Sequence, residues 1–559
     1  MRKSTLLSVL ALNVFVSLLI IVVAEDADGN SEGINIDCGV TQARWDELGV
    51  YYEADDRNVV ESGRVYNVSS QYISRLRNFN TLRSFPEGKR NCYTLKPKQG
   101  KNNNFLVRAY YMYGNYDNKS SVPSFEFHLG VNFWTESVIR GVGNIVRVEV
   151  IHVSPTNNID VCLINTGQGT PFISLLQLWP LKISIYRTTS NFLPLGLVAR
   201  SSLGKSEEAN YGFIRYPDDI YGRSWFLNTN IENSEPITTP VAIDDDVSDY
   251  KLPTEVLGTA IQSQNGSFSL VIDLDCSTDY EYYVYLHFFD FEEHSQDQQR
   301  KMEITFTDTI QDSITLKSHA LQTVVKSIHK GQYLKSISIT STRDSGLPPM
   351  INAFEIYRVL PQPNSPTLEG DVDAMRIVKH AYNITRNWLG DPCMPSNYSW
   401  EGLACNYINN IPAVTSLNLS SSKLTGEIST SFSDLASLES LDLSNNQLTG
   451  EIPEVLAKLP NLKLLNLSGN SLSGSIPKAL REKNGTSLTL SLGGNPSLCH
   501  IGACGTKTKK RIILLTTLAV ASVAVLVIVV CIAVKFCRQR HSIVGKITSS
   551  LFFISIFPL

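Results

Sequence analysis

The residues of this chain that could do hydrolytic chemistry are neighbouring acidic side chains. They occur at Asp218-Asp219, Asp244 to Asp246 and Glu292-Glu293. Two carboxyl groups at a suitable separation can serve as the acid and the base or nucleophile of glycoside hydrolysis. The sequence alone does not place any two of these carboxyl groups at such a separation, so we interpret them as solvated loop acids. No catalytic residue is assigned.

Histidines and glycines form no metal or cofactor motif. The nine histidines are scattered without the spacing of a zinc site. Gly141-x-Gly143 and Gly167-x-Gly169 lack the third glycine and the strand–helix setting of a dinucleotide site. The net charge is −4 and no domain is basic, which argues against nucleic acid as a partner. We therefore expect no cofactor, no metal and no nucleic-acid partner.

Aromatic residues near the end of a strand offer a different chemistry, the stacking of a ring on a sugar. Tyr113, Tyr116 and Asp117 follow a strand-like segment that runs into a loop, and Trp134 comes soon after them. We predict that these four residues bind the ligand. Packing of the same rings in a core or an interface is the alternative interpretation.

Two apolar segments predict on which side of a membrane these residues lie. Residues 1–24 have the charged start, the apolar run and the small-residue end of a secretory signal peptide. Residues 512–534 contain no charge and would rise about 35 Å as a helix, enough to cross a hydrocarbon core of about 30 Å. We predict a single-pass type I protein of the plasma membrane with a short cytoplasmic tail, residues 535–559. A signal anchor that is retained is the alternative.

Glycosylation sequons and cysteines fit an extracellular location. Eight of the ten cysteines lie on the proposed outer side, where disulfides persist. The sequence does not determine the pairing of Cys38, Cys92, Cys162 and Cys276. Sequons of the form Asn-x-Ser/Thr occur only on that side, and we predict glycosylation at Asn67, Asn118, Asn265, Asn383, Asn397, Asn418, Asn466 and Asn484.

The region from residue 34 to residue 360 has an all-β pattern. Runs of β-branched and aromatic residues are separated by turn-forming residues, and no long helical period interrupts them. Segments match at nearly constant offsets: Pro171-Phe-Ile-Ser lies 178 residues before Pro349-Met-Ile-Asn, and Ser124-Phe-Glu-Phe lies 177 before Lys301-Met-Glu-Ile. We predict two tandem modules, at residues 34–186 and 205–360, joined within residues 187–204.

A linker, a cap and a solenoid are predicted to follow. Residues 361–388 form a proline-rich linker and a helix, and residues 389–410 form a cap that a disulfide between Cys393 and Cys405 closes. In residues 411–504 the motif Leu-x-Leu-x-x-Asn/Ser recurs at intervals of 24 residues, which is the leucine-rich-repeat pattern. A disulfide between Cys499 and Cys504 is expected to close the far end. Two reduced cysteines there remain the alternative.

The concave face of these repeats is predicted not to bind a ligand. In each Leu-x-Leu strand the middle residue points away from the leucine core, because side chains alternate across a strand. The resulting column is Asn418, Asp442, Asn466 and Ser491. It contains no Trp, Tyr or Arg, the residue types that most often provide binding energy.

Several motifs resemble the malectin-like region of plant receptor-like kinases. They are Ile36-Asp-Cys-Gly, Arg83-Ser-Phe-Pro-Glu-Gly-Lys-Arg-Asn-Cys-Tyr, Tyr113-Gly-Asn-Tyr-Asp, Pro171-Phe-Ile-Ser, Ile214-Arg-Tyr-Pro-Asp-Asp-Ile-Tyr and Gly390-Asp-Pro-Cys. The chain is similar to the malectin-like, leucine-rich-repeat receptor kinases, a group similar to the symbiosis receptor kinases. The resemblance implies tandem malectin-like β-sandwiches followed by a short leucine-rich-repeat solenoid and a single transmembrane helix.

Members of that family carry a cytoplasmic kinase with a glycine-rich loop, a β3 lysine, a His-Arg-Asp catalytic loop and Asp-Phe-Gly. Residues 535–559 contain none of these motifs. We therefore expect this chain not to be an enzyme, and to signal through full-length receptor kinases or a co-receptor, or to compete with them.

Two functions remain as hypotheses from the sequence. In the first, the ectodomain of a receptor-like protein binds an extracellular ligand or a partner ectodomain. The ligand would be a peptide or a glycan, and the glycan is suggested only by analogy with animal malectin. In the second, the chain is a membrane-tethered cell-wall glycosidase.

Overall fold

The computed structural model describes residues 33–188, 193–204, 213–228, 231–240, 243, 248–264, 268–294, 298–307, 310–499, 528–530 and 532. The chain divides into two compact units, Met1–Leu417 and Asn418–Leu559. No helix within the described ranges is both long enough and apolar enough to cross a membrane. The predicted signal peptide and cytoplasmic tail, and almost all of the predicted spanning segment at residues 512–534, lie outside those ranges.

The first module is built from strands joined by short loops. Its strands are β1 (Ile34–Asp37), β2 (Arg44–Trp45), β3 (Tyr51–Ala54), β4 (Arg64–Asn67), β5 (Thr81–Ser84), β6 (Arg90–Leu95), β7 (Asn104–Met112), β8 (Ser124–Leu129), β9 (Asn132–Glu136), β10 (Ile145–Val153), β11 (Ile159–Gln168), β12 (Phe172–Ile173) and β13 (Leu175–Leu181). Short 3₁₀ helices cover Ser70–Tyr72 and Arg77–Phe79.

The second module repeats this arrangement. It contains β14 (Leu195–Leu203), β15 (Phe213–Ile214), β16 (Trp225–Asn228), β17 (Ser234–Thr238), α1 (Thr254–Leu257), β18 (Thr259–Ser263), β19 (Ser269–Cys276), β20 (Tyr282–Phe289), β21 (Lys301–Thr307), β22 (Ile310–Thr315), β23 (Leu321–Ile328), β24 (Leu334–Ser341), β25 (Met350–Ile351) and β26 (Ala353–Val359). Strands β8 and β21 begin 177 residues apart, and β12 and β25, like β13 and β26, begin 178 apart. These are the offsets expected from the sequence.

Each module is a β-sandwich. The side chains of each strand alternate between its two faces, and the apolar faces of two sheets pack against each other. In the first module, β7 contributes Phe105, Val107 and Ala109 to a core that also contains Phe125 and Phe127 of β8. The sheet opposite β7 has the order β6-β11-β8-β9. In the second module β20 has the same role, and the opposite sheet has the order β19-β24-β21-β22.

The two modules are not separated by a linker. The expected junction, residues 187–204, contains strand β14, which pairs with β10 of the first module and with β26 of the second. One sheet therefore continues through both modules, in the order β2-β3-β1-β13-β7-β10-β14-β26-β20-β23. The second module begins at β14, earlier than the predicted boundary at residue 205, because the joining segment supplies a strand.

A row of buried polar side chains crosses this shared sheet, and we call it the buried ion ladder. It consists of Arg108 on β7, Glu149 on β10, Arg200 on β14, Glu355 on β26 and His287 on β20. Glu149 lies 2.6 Å from Arg108 and 2.7 Å from Arg200, atom to atom. Glu355 lies 2.6 Å from Arg200 and 3.2 Å from His287. The charges of Arg108, Glu149, Arg200 and Glu355 thus alternate from one strand to the next across the junction.

The arginines determine the ionisation of the two buried glutamates. Burial alone would raise the pKa of Glu149, but the guanidinium groups of Arg108 and Arg200 outweigh burial and lower it to about 2. Burial opposes ionisation of Glu355 as well, and Arg200 together with His287 holds its pKa below the ordinary value. A carboxyl group whose pKa is lowered on folding stabilises the fold above its unfolded pKa. That stabilisation is lost as the pH falls from the unfolded pKa through the folded one.

The segment between β15 and β16 covers the buried ion ladder. Asp219 is fully buried and accepts hydrogen bonds from Arg223 Nε at 2.8 Å and Trp225 Nε1 at 2.7 Å. Arg108 Nη2 donates to the Gly222 carbonyl at 2.7 Å. The interpretation of Asp219 as a solvated loop acid is therefore wrong, because its own loop folds over the sheet and pairs it with Arg223.

The linker helix and the cap pack against the first module within the first unit. Helix α2 (Glu369–Ala381) and the hairpin of β27 (Leu403–Ile408) and β28 (Ile411–Asn418) follow the second module, with a 3₁₀ helix at Ser396–Tyr398. Arg90 Nη1 donates to the Met394 carbonyl at 2.9 Å. The rings of Trp388 and Trp400 stack with centroids 5.0 Å apart. The cap that follows α2 is thus anchored to the sandwich.

Two disulfides are formed between described cysteines. Cys393 pairs with Cys405 in the cap, and Cys92 pairs with Cys162 across β6 and β11. Cys38 and Cys276 are buried free thiols. Cys499 is also disulfide-bonded, and its expected partner, Cys504, lies outside the described residues.

The second unit has the regular geometry of leucine-rich repeats. Its elements are β29 (Thr425–Glu427), β30 (Ser440–Asp442), β31 (Gln447–Thr449), β32 (Leu464–Asn466), β33 (Ser473–Ser475), α3 (Lys478–Lys483), β34 (Thr489–Ser491) and β35 (Ser497–Cys499), with 3₁₀ helices at Thr430–Asp434 and Glu454–Lys458. Strands β30, β32 and β34 pair in parallel. The leucines of successive repeats are buried in one core, as a solenoid requires.

Replacing Arg200 with Met should lower the free energy of unfolding of the malectin-like region by about 3–5 kcal/mol, because Glu149 and Glu355 then lose a buried partner. The control is Arg64→Met, which removes an exposed ion pair with Glu87 and should cost about 0–1 kcal/mol. Urea unfolding followed by tryptophan fluorescence measures both changes. Equal urea midpoints for the two variants would show that the ladder does not stabilise the fold.

Replacing both Cys393 and Cys405 with Ser should lower the free energy of unfolding by about 3 kcal/mol, because the unfolded chain is no longer closed into a short loop. We expect retention of the variant in the secretory pathway, measured by sensitivity of its glycans to an endoglycosidase. Cys276→Ser, which removes a free thiol, is the control and should be transported normally. Peptide mapping that pairs Cys393 with another cysteine would contradict the assignment.

Candidate ligand-recognition site

The residues predicted to bind a ligand lie largely inside the first sandwich. Tyr113 and Trp134 are 0% and 2% exposed and belong to its core. Tyr116 and Asp117 are half-buried. The Tyr113 hydroxyl donates to Asp117 Oδ1 at 2.7 Å, and the Tyr116 hydroxyl lies 2.9 Å from Ser84 Oγ. Buried rings have no face open to a sugar, so this geometry supports the packing interpretation.

Among the other acidic residues considered for catalysis, Glu293 is exposed, Glu292 belongs to a cluster around Asp290, and three are not described. Asp244 to Asp246 lie outside the described residues. Asp290, Glu292 and His294 form a group close enough for a metal ion. Arg300 Nε lies 3.1 Å from Asp290 Oδ2, and Arg300 Nη2 lies 3.5 Å from Glu292 Oε2. Because the guanidinium group of Arg300 already contacts both carboxylates, we interpret the group as an ion-pair cluster.

The sequon asparagines are mostly accessible. Asn466 is half-buried and Asn265 lies outside the described residues. The others are exposed, namely Asn67, Asn118, Asn383, Asn397, Asn418 and Asn484. An oligosaccharide attached at any of these six positions would project into solvent. Their glycosylation stays a prediction.

The outward column of the repeats is small and polar. Asn466 Nδ2 donates to Asp442 Oδ2 at 3.2 Å, and Ser420 N donates to Asn418 Oδ1 at 2.9 Å. Ser491 is half-buried at the last strand. These side chains bond to their own strands and loops and offer no ring or guanidinium to a partner. That the face does not bind a ligand remains a prediction.

A cleft of about 380 Å³ lies at one end of the first sandwich, beside α2, and we call it the α2 cleft. Its walls come from residues 129–132 at the β8–β9 turn, residues 152–160 at the β10–β11 connection, and residues 362–376. A volume of this size is within the range of small-ligand sites. Aliphatic side chains form much of its lining, namely Leu129, Val131, Ile159, Leu193 and Val372.

Polar contacts fix the positions of the cleft walls. Asn132 Nδ2 donates to the Asn364 carbonyl at 2.9 Å, and Asn364 N donates back to Asn132 Oδ1 at 3.0 Å. Lys101 Nζ lies 2.8 Å from Glu369 Oε2, and Asn157 Nδ2 donates to Glu369 Oε1 at 2.6 Å. The linker and the first turn of α2 are therefore held against the sandwich, and the cleft is preformed.

One buried polar side chain of the cleft has no hydrogen-bond partner. His152 is 6% exposed, and its Nδ1 atom is buried without a partner among the described residues. Burial lowers the pKa of His152 to about 4. The imidazole is therefore neutral at any pH well above that value, with one nitrogen as donor and the other as acceptor.

The α2 cleft is not predicted from the sequence. A signal was present in β10. His152 is a polar residue that follows Val146, Val148 and Val150 on the side of the strand that faces the core. A histidine in a strand is often satisfied by a neighbour, however, and only the fold shows that this one is not. The opposite wall comes from residues about 220 positions later in the chain.

The sequence of this chain is similar to the sequences of known proteins. The sequence model of the malectin-like domain family matches residues 36–359, and a leucine-rich-repeat model matches residues 403–472. The chain is 40% identical over 534 residues to the probable LRR receptor-like serine/threonine-protein kinase At1g05700 of Arabidopsis thaliana, covering 94% of this chain and 61% of that protein. It is 37% identical to the putative leucine-rich repeat receptor-like protein kinase At2g19210 of the same plant, over 94% and 60% of the two chains.

The chain thus spans about three fifths of the length of the curated relatives that it matches. Among solved structures, the ANX2 ectodomain from Arabidopsis thaliana is 15% identical and covers 60% of this chain and 98% of its own, with a TM-score of 0.49. A complex of the plant peptide RALF23 with FER and LLG2 matches 59% of this chain and 96% of the matched chain, at 14% identity and a TM-score of 0.48.

The malectin-like match covers more than half of the chain, and the leucine-rich repeats come directly after it, as the relatives' names lead one to expect. The chain therefore belongs to the family of malectin-like, leucine-rich-repeat receptor-like kinases.

Proposed function

We propose that this chain is the recognition part of a single-pass cell-surface receptor, in which the malectin-like region binds an extracellular ligand or a partner ectodomain. The observation that carries the proposal is 40% identity over 94% of the chain to a relative named as a receptor-like kinase. The signal peptide predicted at residues 1–24 and the spanning segment predicted at residues 512–534 support an extracellular location for the described units.

The side chains of the malectin-like region favour recognition over hydrolysis. Asp219 is buried with Arg223, and Asp290 is bonded to Arg300. Neither carboxylate is left to act on a sugar. The α2 cleft, in contrast, is a preformed opening that holds an unpartnered imidazole. This arrangement supports a binding site and gives the glycosidase alternative no support.

Recognition outside the cell must reach a kinase to have an effect. The relatives are named for their kinase activity, and we infer that a receptor kinase of this kind transmits the signal. A co-receptor or a full-length receptor kinase is the membrane partner that this requires. The ligand is a peptide or a glycan that is present outside the cell.

Protease added to intact cells should release a large glycosylated fragment, because the proposal places all eight sequons, Asn67 to Asn484, outside. The remainder should be a membrane-bound stub of a few kilodaltons. Immunoblots with one tag placed directly after residue 24 and another at the carboxyl terminus measure this. Permeabilised cells, in which both ends are accessible, are the control.

Protection of the bulk of the chain in sealed, right-side-out membranes would contradict the proposed orientation. Turnover of cell-wall polysaccharides by the purified full chain would contradict the proposed function and support the glycosidase. An alkali-treated sample, in which the fold is lost, gives the background for that assay.

A further inference from the structure

The imidazole of His152 is the strongest indication that the α2 cleft is built for a ligand. A buried polar atom without a hydrogen-bond partner costs about 1–3 kcal/mol, and His152 Nδ1 is in that state within the described residues. His152 lines the cleft, so a ligand bound there would contact its imidazole. Such a ligand must carry a polar group close to an otherwise apolar surface.

The floor of the cleft selects aliphatic rather than aromatic contact. Leu129, Val131 and Ile159 are 4%, 4% and 3% exposed, and Val372 is half-buried above them. No Trp, Tyr or Phe is among the described residues that line the cleft. Sugar sites commonly use an aromatic ring as a stacking surface, and this floor offers none. An aliphatic side chain of about the size of leucine matches the floor instead.

The rim of the cleft is acidic. Three carboxylic residues line it, Asp160, Glu369 and Asp373, against the single guanidinium group of Arg376, and the fourth acidic residue of the cleft, Asp391, is buried. Glu369 is paired with Lys101, and Arg376 lies 3.5 Å from Asp160. Asp373 is exposed, and no hydrogen bond or ion pair is recorded for it among the described residues. A cation that enters the cleft would therefore meet a carboxylate without a partner.

An amide at the rim suits a peptide group. Asn158 is half-buried, and its side-chain amide makes no hydrogen bond recorded among the described residues. An asparagine amide offers donors and an acceptor, which is the complement of a backbone N–H and C=O. Together with His152 it can satisfy the polar atoms of an extended chain whose side chain lies on the aliphatic floor.

We propose that the α2 cleft binds an extended peptide segment in which an aliphatic side chain packs on Val131, Ile159 and Val372 and an adjacent lysine or arginine pairs with Asp373. This inference rests on the proposed function and assigns it a site and a ligand class. The peptide backbone bonds to Asn158 and His152. The site lies wholly within the first unit and requires no contribution from the leucine-rich repeats.

The test uses the purified full chain in detergent micelles and a displayed library of random octapeptides. We expect the selected peptides to be enriched in an aliphatic residue next to Lys or Arg. Their affinities for variants are then measured by calorimetry. Val372→Trp, which fills the cleft, and Asp373→Lys, which reverses the charge of the rim, should each weaken binding at least tenfold.

Two variants on the same helix are matched controls. Ile377→Trp adds the same ring at a side chain that is 51% exposed, and His380→Lys adds the same lysine side chain at an exposed position outside the cleft. Both should bind within twofold of the unchanged chain. Because Val372 is half-buried and Asp373 is exposed, the test does not depend on a core substitution that could prevent folding.

Three results would overturn the inference. Selected peptides that bind Val372→Trp and Asp373→Lys as tightly as the unchanged chain would place recognition elsewhere, and the proposed function would stand. Selection of acidic peptides would contradict the charge assignment. Binding of cellotetraose or an oligogalacturonide that the two cleft variants abolish, with no peptide selected, would make the cleft a sugar site.

Discussion

The structure depends on one constraint, that Glu149 and Glu355 remain ionised inside the protein. Burial disfavours both charges, and Arg200 on β14 lies between them with Nη1 2.7 Å from one carboxylate and Nε 2.6 Å from the other. Because the two glutamates belong to different modules, a single guanidinium group joins the modules at their junction. The tandem sandwiches are consequently one sheet and one unit, rather than two domains on a flexible connection.

This constraint also determines which surfaces are left for recognition. The buried ion ladder is covered by the segment that contains Asp219 and Arg223. Arg223 donates to Asp219 and to the Tyr250 carbonyl. The repeat strands present a small polar column. The end of the first sandwich differs, because the linker and α2 lean against it through Asn132, Asn364 and Glu369 without filling it. A preformed cleft is thus a consequence of how the linker is anchored.

The sequence predicted what depends on period and missed what depends on distant contacts. The 24-residue spacing predicted the repeats, and the 177–178 offsets predicted the duplicated strands. Each prediction depends on a pattern that recurs along the chain. The strand-like pattern before Tyr113 predicts that this residue comes at the end of a strand, but not that its ring and the ring of Trp134 both lie in the core. The strand within the junction at residues 187–204 was not predicted, because a strand that pairs with Ile356 and Glu355 is recognisable only when β26 is present. His152 and α2 are brought together by the fold alone.

The most direct test of this account is hydrogen exchange of the full chain, followed by mass spectrometry of peptides from β7 and from β20. These strands belong to different modules of one sheet, and their amides report the free energy at which each module opens. If the buried ion ladder joins the modules, the two strands have equal opening free energies, and Arg200→Met lowers both together. Opening of β20 at a clearly lower free energy than β7, or a loss confined to one of them in Arg200→Met, would contradict it.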